Sequence, residues 1–206
     1  MSRASILPVE FTHERWDDPT QRFTGRLDFS RAVTQLCTLS DRTRTIAKII
    51  KRLVKKQNRY PIVLSSRIQV LKDIHSLLGG EMCGLVAGTA TNKKARLEQS
   101  QATSKRVLLG TDSQLGEGFS DNKRDTIILV TPYKGTKFSR QSKSKRQDGG
   151  RLIQLIGRVL RAKNENQPLI VDICDKGTCF ERMARGRYMY YNDMNMSILK
   201  SYTFSL

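Results

Sequence analysis

The sequence predicts an α/β fold: a parallel sheet covered by helices on both faces. Three observations lead there. Short, β-branched apolar runs recur along the chain, stretches of helical period separate most of them, and small or hydroxyl-bearing residues follow the runs. In a parallel sheet such residues stand at the carboxyl ends of the strands, where ligands bind.

Taken in order, residues 1–24 are polar and contain Pro8 and Pro19, so the segment 1–30 reads as a leader or an interdomain linker. From Ser40 the pattern becomes regular. SDRTRTIAKIIKRLVKK offers Ser40 or Asp41 as N-cap and sets Ile46, Ile50, Leu53 and Val54 at helical spacing. YPIVLSS (60–66) is the first buried strand, and RIQVLKDIHSLL (67–78) returns to helical period before stopping at Gly79–Gly80. CGLVAGT (83–89), RVLLGTD (106–112) and DTIILVTP (125–132) are the next three strands, with a polar helical stretch after the first of them. YKGTKFSRQSKSKRQDGGR (133–151) holds seven basic residues and one acidic one, and its centre, 134–149, reads as an exposed basic loop. A helix around QLIGRVLRA (154–162), a fifth strand PLIVDICD (168–175) and a closing helical stretch FERMARGRYMYYNDM (180–194) complete the series.

Composition narrows the function. With 206 residues, 38% of them hydrophobic, the chain can bury one good core. Its formal net charge of +18 favours a polyanion, with nucleic acid first among the candidates. The apolar runs are only strand-length and cannot span a membrane, and MSRASILPVEFTHERW lacks the apolar region of a signal peptide. Cys37, Cys83, Cys174 and Cys179 form neither a CxxC pair nor a dense disulfide framework. They are expected to be free thiols in a reducing intracellular compartment, with no metal site. His13 and His75 are the only histidines, which leaves little for histidine-based catalysis.

Two stretches carry chemistry. In QLIGRVLRA, Gln154, Arg158 and Arg161 fall at i, i+4 and i+7 and share one helical face, while Leu152, Leu155, Ile156 and Val159 face the core. Such a basic face meets either water or phosphate. In GTDSQLGEGFS (110–120), small residues at a strand end let backbone N–H groups approach a phosphate, and Thr111 and Ser113 add hydroxyls. Alone, this would be an ordinary Gly-rich loop.

The order VLSSR (63–67), GTDSQLGEG (110–118) and QLIGRVLR (154–161) resembles motifs IV, V and VI of the second RecA-like domain of superfamily 2 helicases. QLIGRVLRAK is similar to the QxxGRxxR form of the repair- and transcription-linked branch, which includes phage recombination and poxvirus transcript-release helicases. The resemblance covers residues 30–195 and implies a RecA-like sheet of about five or six strands over 31–206, from a large-DNA-virus source. It assigns Arg158 and Arg161 to the γ-phosphate of ATP, with Gln154 and Gly157 in the nucleotide site. A positioned guanidinium fork suits the charge spread over a transferred phosphoryl group. The resemblance also places Ser66, Arg67, Thr89, Thr111 and Ser113 on a nucleic-acid backbone, with Glu117 and Gly118 coupling that track to the nucleotide cleft. Backbone contact is sequence-tolerant and salt-sensitive.

The chain departs from the family in three places. Ser120 stands where an Asp often contacts the nucleotide ribose, so Asp121 is the candidate replacement. Leu155 occupies a frequent Arg position, and the basic loop is long. Its Lys137, Arg140, Lys143, Lys145 and Arg146 are candidate phosphate contacts.

A P-loop, GxxxxGK followed by Ser or Thr, and a DExx metal motif are both required for turnover. No Gly in the sequence is followed by Lys, and no Asp by Glu. The expectation is therefore a C-terminal half of an ATP-dependent helicase, inactive alone, partnered by an N-terminal RecA-like domain that holds the Mg²⁺ ligands. The alternative keeps the fold as a stand-alone nucleic-acid-binding module without ATPase activity.

Overall fold

The computed structural model describes residues 4–86, 93–115, 121–133, 156–157 and 166–206. Among the described residues, eight strands form one sheet in which every pairing is parallel. They are β1 (Ser5–Thr12), β2 (Pro61–Leu64), β3 (Cys83–Val86), β4 (Val107–Gly110), β5 (Thr126–Leu129), β6 (Leu169–Lys176), β7 (Ser197–Ile198) and β8 (Tyr202–Ser205). The spatial order is β3-β4-β2-β5-β6-β1, and β7 and β8 both pair with the outer side of β1.

Helices α1 (Phe29–Thr38), α2 (Ser40–Gln57) and α3 (Ile68–Leu78) cover one face, and α4 (Lys93–Ser104), the one-turn α5 (Asp112–Leu115) and α6 (Glu181–Asp193) cover the other. Strand alternation sorts the two cores. On β2, Val63 joins the α1–α3 side, while Ile62 and Leu64 join the α4–α6 side. On β3, an added Cβ at Gly84 would lie 2.2 Å from the Ala102 carbonyl oxygen, so α4 sits directly on the strand backbone.

Four features differ from the sequence-based expectation. The sheet has eight strands rather than five or six, because β1, β7 and β8 extend it. Residues 1–30 are not all connection: Ser5–Thr12 form a strand lying between β6 and the β7/β8 pair. Pro8 is tolerated there by register. Ser5 N–H donates to Pro168 O on the β6 side, so the N–H of each even-numbered residue points to the other side. There β7 pairs with Ser5 and Ile6 and β8 with Val9 to Thr12, leaving Pro8 in the gap where no donor is required. Helix α1 was also unforeseen. The Asp28 carboxylate caps it by accepting from Arg31 N–H at 3.0 Å, and Ala32, Val33, Leu36 and Cys37 are its buried stripe. Leu39, not Ser40 or Asp41, is the N-cap of α2; Asp41 instead pairs with Arg44 at 2.7 Å on the surface.

All four cysteines are free. Burial pushes the Cys83 thiol up to about 11 and the Cys174 thiol up to about 12, so neither is a thiolate at neutral pH. No metal-holding cluster of His, Cys, Asp or Glu occurs among the described residues. Among them, no helix is long and apolar enough to cross a membrane.

Candidate nucleic-acid and nucleotide interface

The central strands β2, β4 and β5 deliver their following residues to one edge of the sheet. After β2, the buried Ser65 hydroxyl accepts from Arg67 N–H at 3.0 Å and donates to Arg67 O at 3.0 Å, closing a tight turn. Ser65 N–H donates to Gly110 O at 3.4 Å, which joins this turn to the end of β4. Ser66 is exposed, and its N–H donates to Thr131 Oγ1 at 2.9 Å beyond β5. The three segments are therefore contiguous at the carboxyl edge.

Arg67 is partly committed within the domain. Its Nε donates to Thr34 Oγ1 at 3.1 Å, and one Nη donates to Ser30 O at 3.0 Å and Ser30 Oγ at 2.9 Å. Its clearest role is to tie the turn after β2 to α1.

After β4, Thr111 O accepts from Gln114 and Leu115 N–H at 3.0 and 2.9 Å and opens α5. The Thr111 and exposed Ser113 hydroxyls lie 2.9 Å apart and can act as one hydroxyl pair. Gly110 makes this possible, because a Cβ there would lie 2.6 Å from Leu115, which is buried beneath the turn.

The exit of β5 is held from both faces by buried arginines. On the α1–α3 side, Arg42 of α2 pairs with Asp175 of β6 through Nε at 2.8 Å and Nη at 2.9 Å, and donates to Val130 O at 2.7 Å. His13 Nε2 reaches the same carboxylate at 3.0 Å. Burial pushes the Asp175 carboxyl up, but the Arg42 charge and the bond from His13 prevail and hold it below its ordinary value. On the other face, Arg187 of α6 pairs with Asp172 at 2.7 Å and donates to Tyr133 O at 2.6 Å. Burial opposes the Arg187 charge, yet the Asp172 carboxylate raises its pKa above the ordinary value. Sequence reasoning missed both pairs. The signal was present in DICD, two carboxylates in an otherwise apolar strand, each requiring a cation.

Asp121 stands elsewhere. Its carboxylate accepts from Lys123 N–H at 3.0 Å and from Arg124 Nε at 2.9 Å. The buried Arg124 in turn donates to the carbonyls of Thr103, Lys105 and Arg106 at 2.7 to 2.9 Å, just before β4 begins. Asp121 thus serves the amino edge of the sheet, remote from Thr111 and Ser66, where it is engaged within the fold rather than placed for a nucleotide ribose. Ile156 and Gly157 are helical, with Ile156 buried and open space where a Gly157 Cβ would stand. Thr89, Glu117, Gly118, Gln154, Arg158, Arg161 and the loop residues Lys137, Arg140, Lys143, Lys145 and Arg146 lie outside the described residues.

No family model matches the chain. Uncharacterized protein 108L of Invertebrate iridescent virus 3 is 26% identical over 117 residues, which are 55% of this chain and 93% of that protein. Among solved structures, T4 UvsW is similar with a TM-score of 0.66 at 16% identity, covering 98% of this chain and 41% of that one. The C-terminal domain of the DEAD-box protein Dbp5 gives 0.55 at 11% identity, covering 97% of this chain and 90% of that one. Mss116p DEAD-box helicase domain 2 bound to an RNA duplex gives 0.53 at 12% identity, covering 97% and 63%. The chain thus shares its RecA-like fold with these helicase domains, and it spans less than half of the T4 UvsW chain.

Proposed function

We propose that the chain is the second RecA-like domain of an ATP-dependent superfamily 2 helicase or translocase. The observation that carries this reading is the contiguity of VLSSR (63–67) and GTDSQL (110–115) at the carboxyl edge, joined by Ser65 N–H to Gly110 O, on a fold shared with helicase C-terminal domains. Ser66, Thr111, Ser113, Thr89 and a remaining face of Arg67 contact a DNA or RNA backbone. Arg158 and Arg161, with Gln154 and Gly157 beside them, reach across a cleft to ATP held by an N-terminal RecA-like domain. That domain supplies the P-loop and the Mg²⁺ ligands. Glu117 and Gly118 couple the two sites, and closure on ATP followed by hydrolysis steps the protein along its strand. The setting is a reducing intracellular compartment.

The test is to assay the purified chain for nucleic-acid binding and ATP hydrolysis. Expected are salt-sensitive binding and no turnover with single- or double-stranded nucleic acid. Robust stimulated turnover would overturn the division of labour between two domains. Neutralising Lys137, Arg140, Lys143, Lys145 and Arg146 is expected to weaken binding at low salt and to flatten the salt slope by about 0.7–0.9 for each phosphate no longer neutralised. An unchanged slope would remove the basic loop from the interface.

A second reading rests on the iridescent-virus relative. Its 117 matched residues make up 93% of it, too little chain for two RecA-like domains. A stand-alone, helicase-derived nucleic-acid-binding module is therefore the competing function. Association with a P-loop domain, yielding ATPase activity, decides between them.

A further inference from the structure

Between β1 and α1 the chain makes a small hairpin that none of the motifs uses. Thr20 and Leu27 bridge in antiparallel fashion. Gln21 N–H donates to Arg26 O at 2.7 Å, Gly25 N–H to Gln21 O at 3.0 Å, and Thr24 Oγ1 to Gln21 Oε1 at 2.8 Å. Gly25 supplies the turn with φ +62°, the left-handed region open to glycine. At the tip, Phe23 is 95% exposed, and Arg22 and Arg26 on either side are exposed too. A locally well-bonded turn thus holds a benzyl ring in water, where its transfer free energy is unrealised.

The hairpin leads directly into α1, which holds the turn after β2. Asp28 N–H closes its base on Pro19 O at 2.7 Å, and two residues later Ser30 holds the Arg67 guanidinium. Behind it, Trp16 and Phe29 both pack edge-on against Phe180, at 6.3 and 5.6 Å between ring centroids. The hairpin follows the carboxyl end of β1, and its exit is tied through Ser30 to Arg67 of the turn after β2.

We propose that Phe23 is a base-stacking finger: its ring lies on a nucleobase of a single strand, while Arg22 and Arg26 meet the flanking phosphates. Three observations select this ligand. The chain carries a net charge of +18, two cations bracket the ring, and no other apolar side chain occupies the tip between Thr20 and Leu27. A protein partner would call for a contiguous apolar patch, whereas a base offers a single π-face beside anionic groups. Unpaired bases are preferred, because the faces of paired bases are already stacked. The inference shares with the proposed function only the nature of the ligand, and it requires no ATP.

The experiment titrates the purified chain, Phe23→Ala and Phe23→Trp into end-labelled oligothymidylate, oligouridylate and a DNA duplex, read by anisotropy. Phe23→Ala is expected to weaken single-strand binding roughly five- to hundredfold while leaving duplex binding unchanged. Phe23→Trp is expected to retain affinity, with indole emission quenched on binding. The relative affinities for the two oligomers separate DNA from RNA. Equal single-strand affinity of Phe23→Ala and the unmodified chain would overturn the proposal alone, as would equal losses on single strand and duplex. Absence of binding to every probe would overturn both this proposal and the nucleic-acid track proposed above. Thermal melting of each variant checks that the fold is retained.

Discussion

Arg158→Ala, made in a protein that carries both RecA-like domains, is expected to slow ATP hydrolysis about 10³–10⁵-fold while sparing nucleic-acid binding. That corresponds to about 4–7 kcal/mol of transition-state stabilisation. The size of the effect follows from where charge accumulates. The loose transition state of phosphoryl transfer spreads negative charge over three oxygens, and a guanidinium fork meets two of them without moving. Arg158→Lys retains the charge but loses the planar fork, so little activity is expected to return. Single-turnover hydrolysis in saturating nucleic acid is the appropriate measurement. Retained hydrolysis would remove the arginine-finger assignment and favour the stand-alone module.

Arg187→Ala is expected to destabilise the folded domain by about 3–5 kcal/mol, read as a shift in the urea midpoint. The guanidinium is buried, and its removal would strand the fully buried Asp172 carboxylate without its cation. The bond to Tyr133 O would disappear as well. Substituting both partners, Arg187→Met with Asp172→Leu, is expected to restore most of the stability, since an apolar pair costs no charge desolvation. If Arg187→Ala shifts the midpoint only slightly, the pair is not the determinant of this interface.

The legible part of the fold was the part in which a residue's own neighbours decide its state. Helices α2 and α3 carry apolar residues at helical spacing, and β2 to β6 are runs of Ile, Leu and Val bounded by polar residues. Strand β1 was illegible because Pro8 is acceptable only through the spacing of β7 and β8 along a distant part of the chain. Those two strands are short and largely exposed, so no apolar run announces them. Helix α1 was legible in principle, with Asp28 as cap and buried positions 32, 33, 36 and 37, but it follows a polar segment that masked its start. At the candidate site, sequence placed Ser66, Thr111 and Ser113 after the proper strands. It could not foresee that Arg67 would be shared with Ser30, or that Arg124 would hold Asp121 at the opposite edge.

The two buried arginines carry a mechanical consequence. Arg42 and Arg187 lie on opposite faces of the sheet, yet both grip the carbonyls of one short segment, Val130 and Tyr133, from which the basic stretch departs. They act as guy-ropes on a mast. Tension applied to that stretch, as when a strand is dragged past it, would be divided between the α2 and α6 layers rather than peeling β5 from one side. Such a tether favours shear of whole layers over stepwise unzipping.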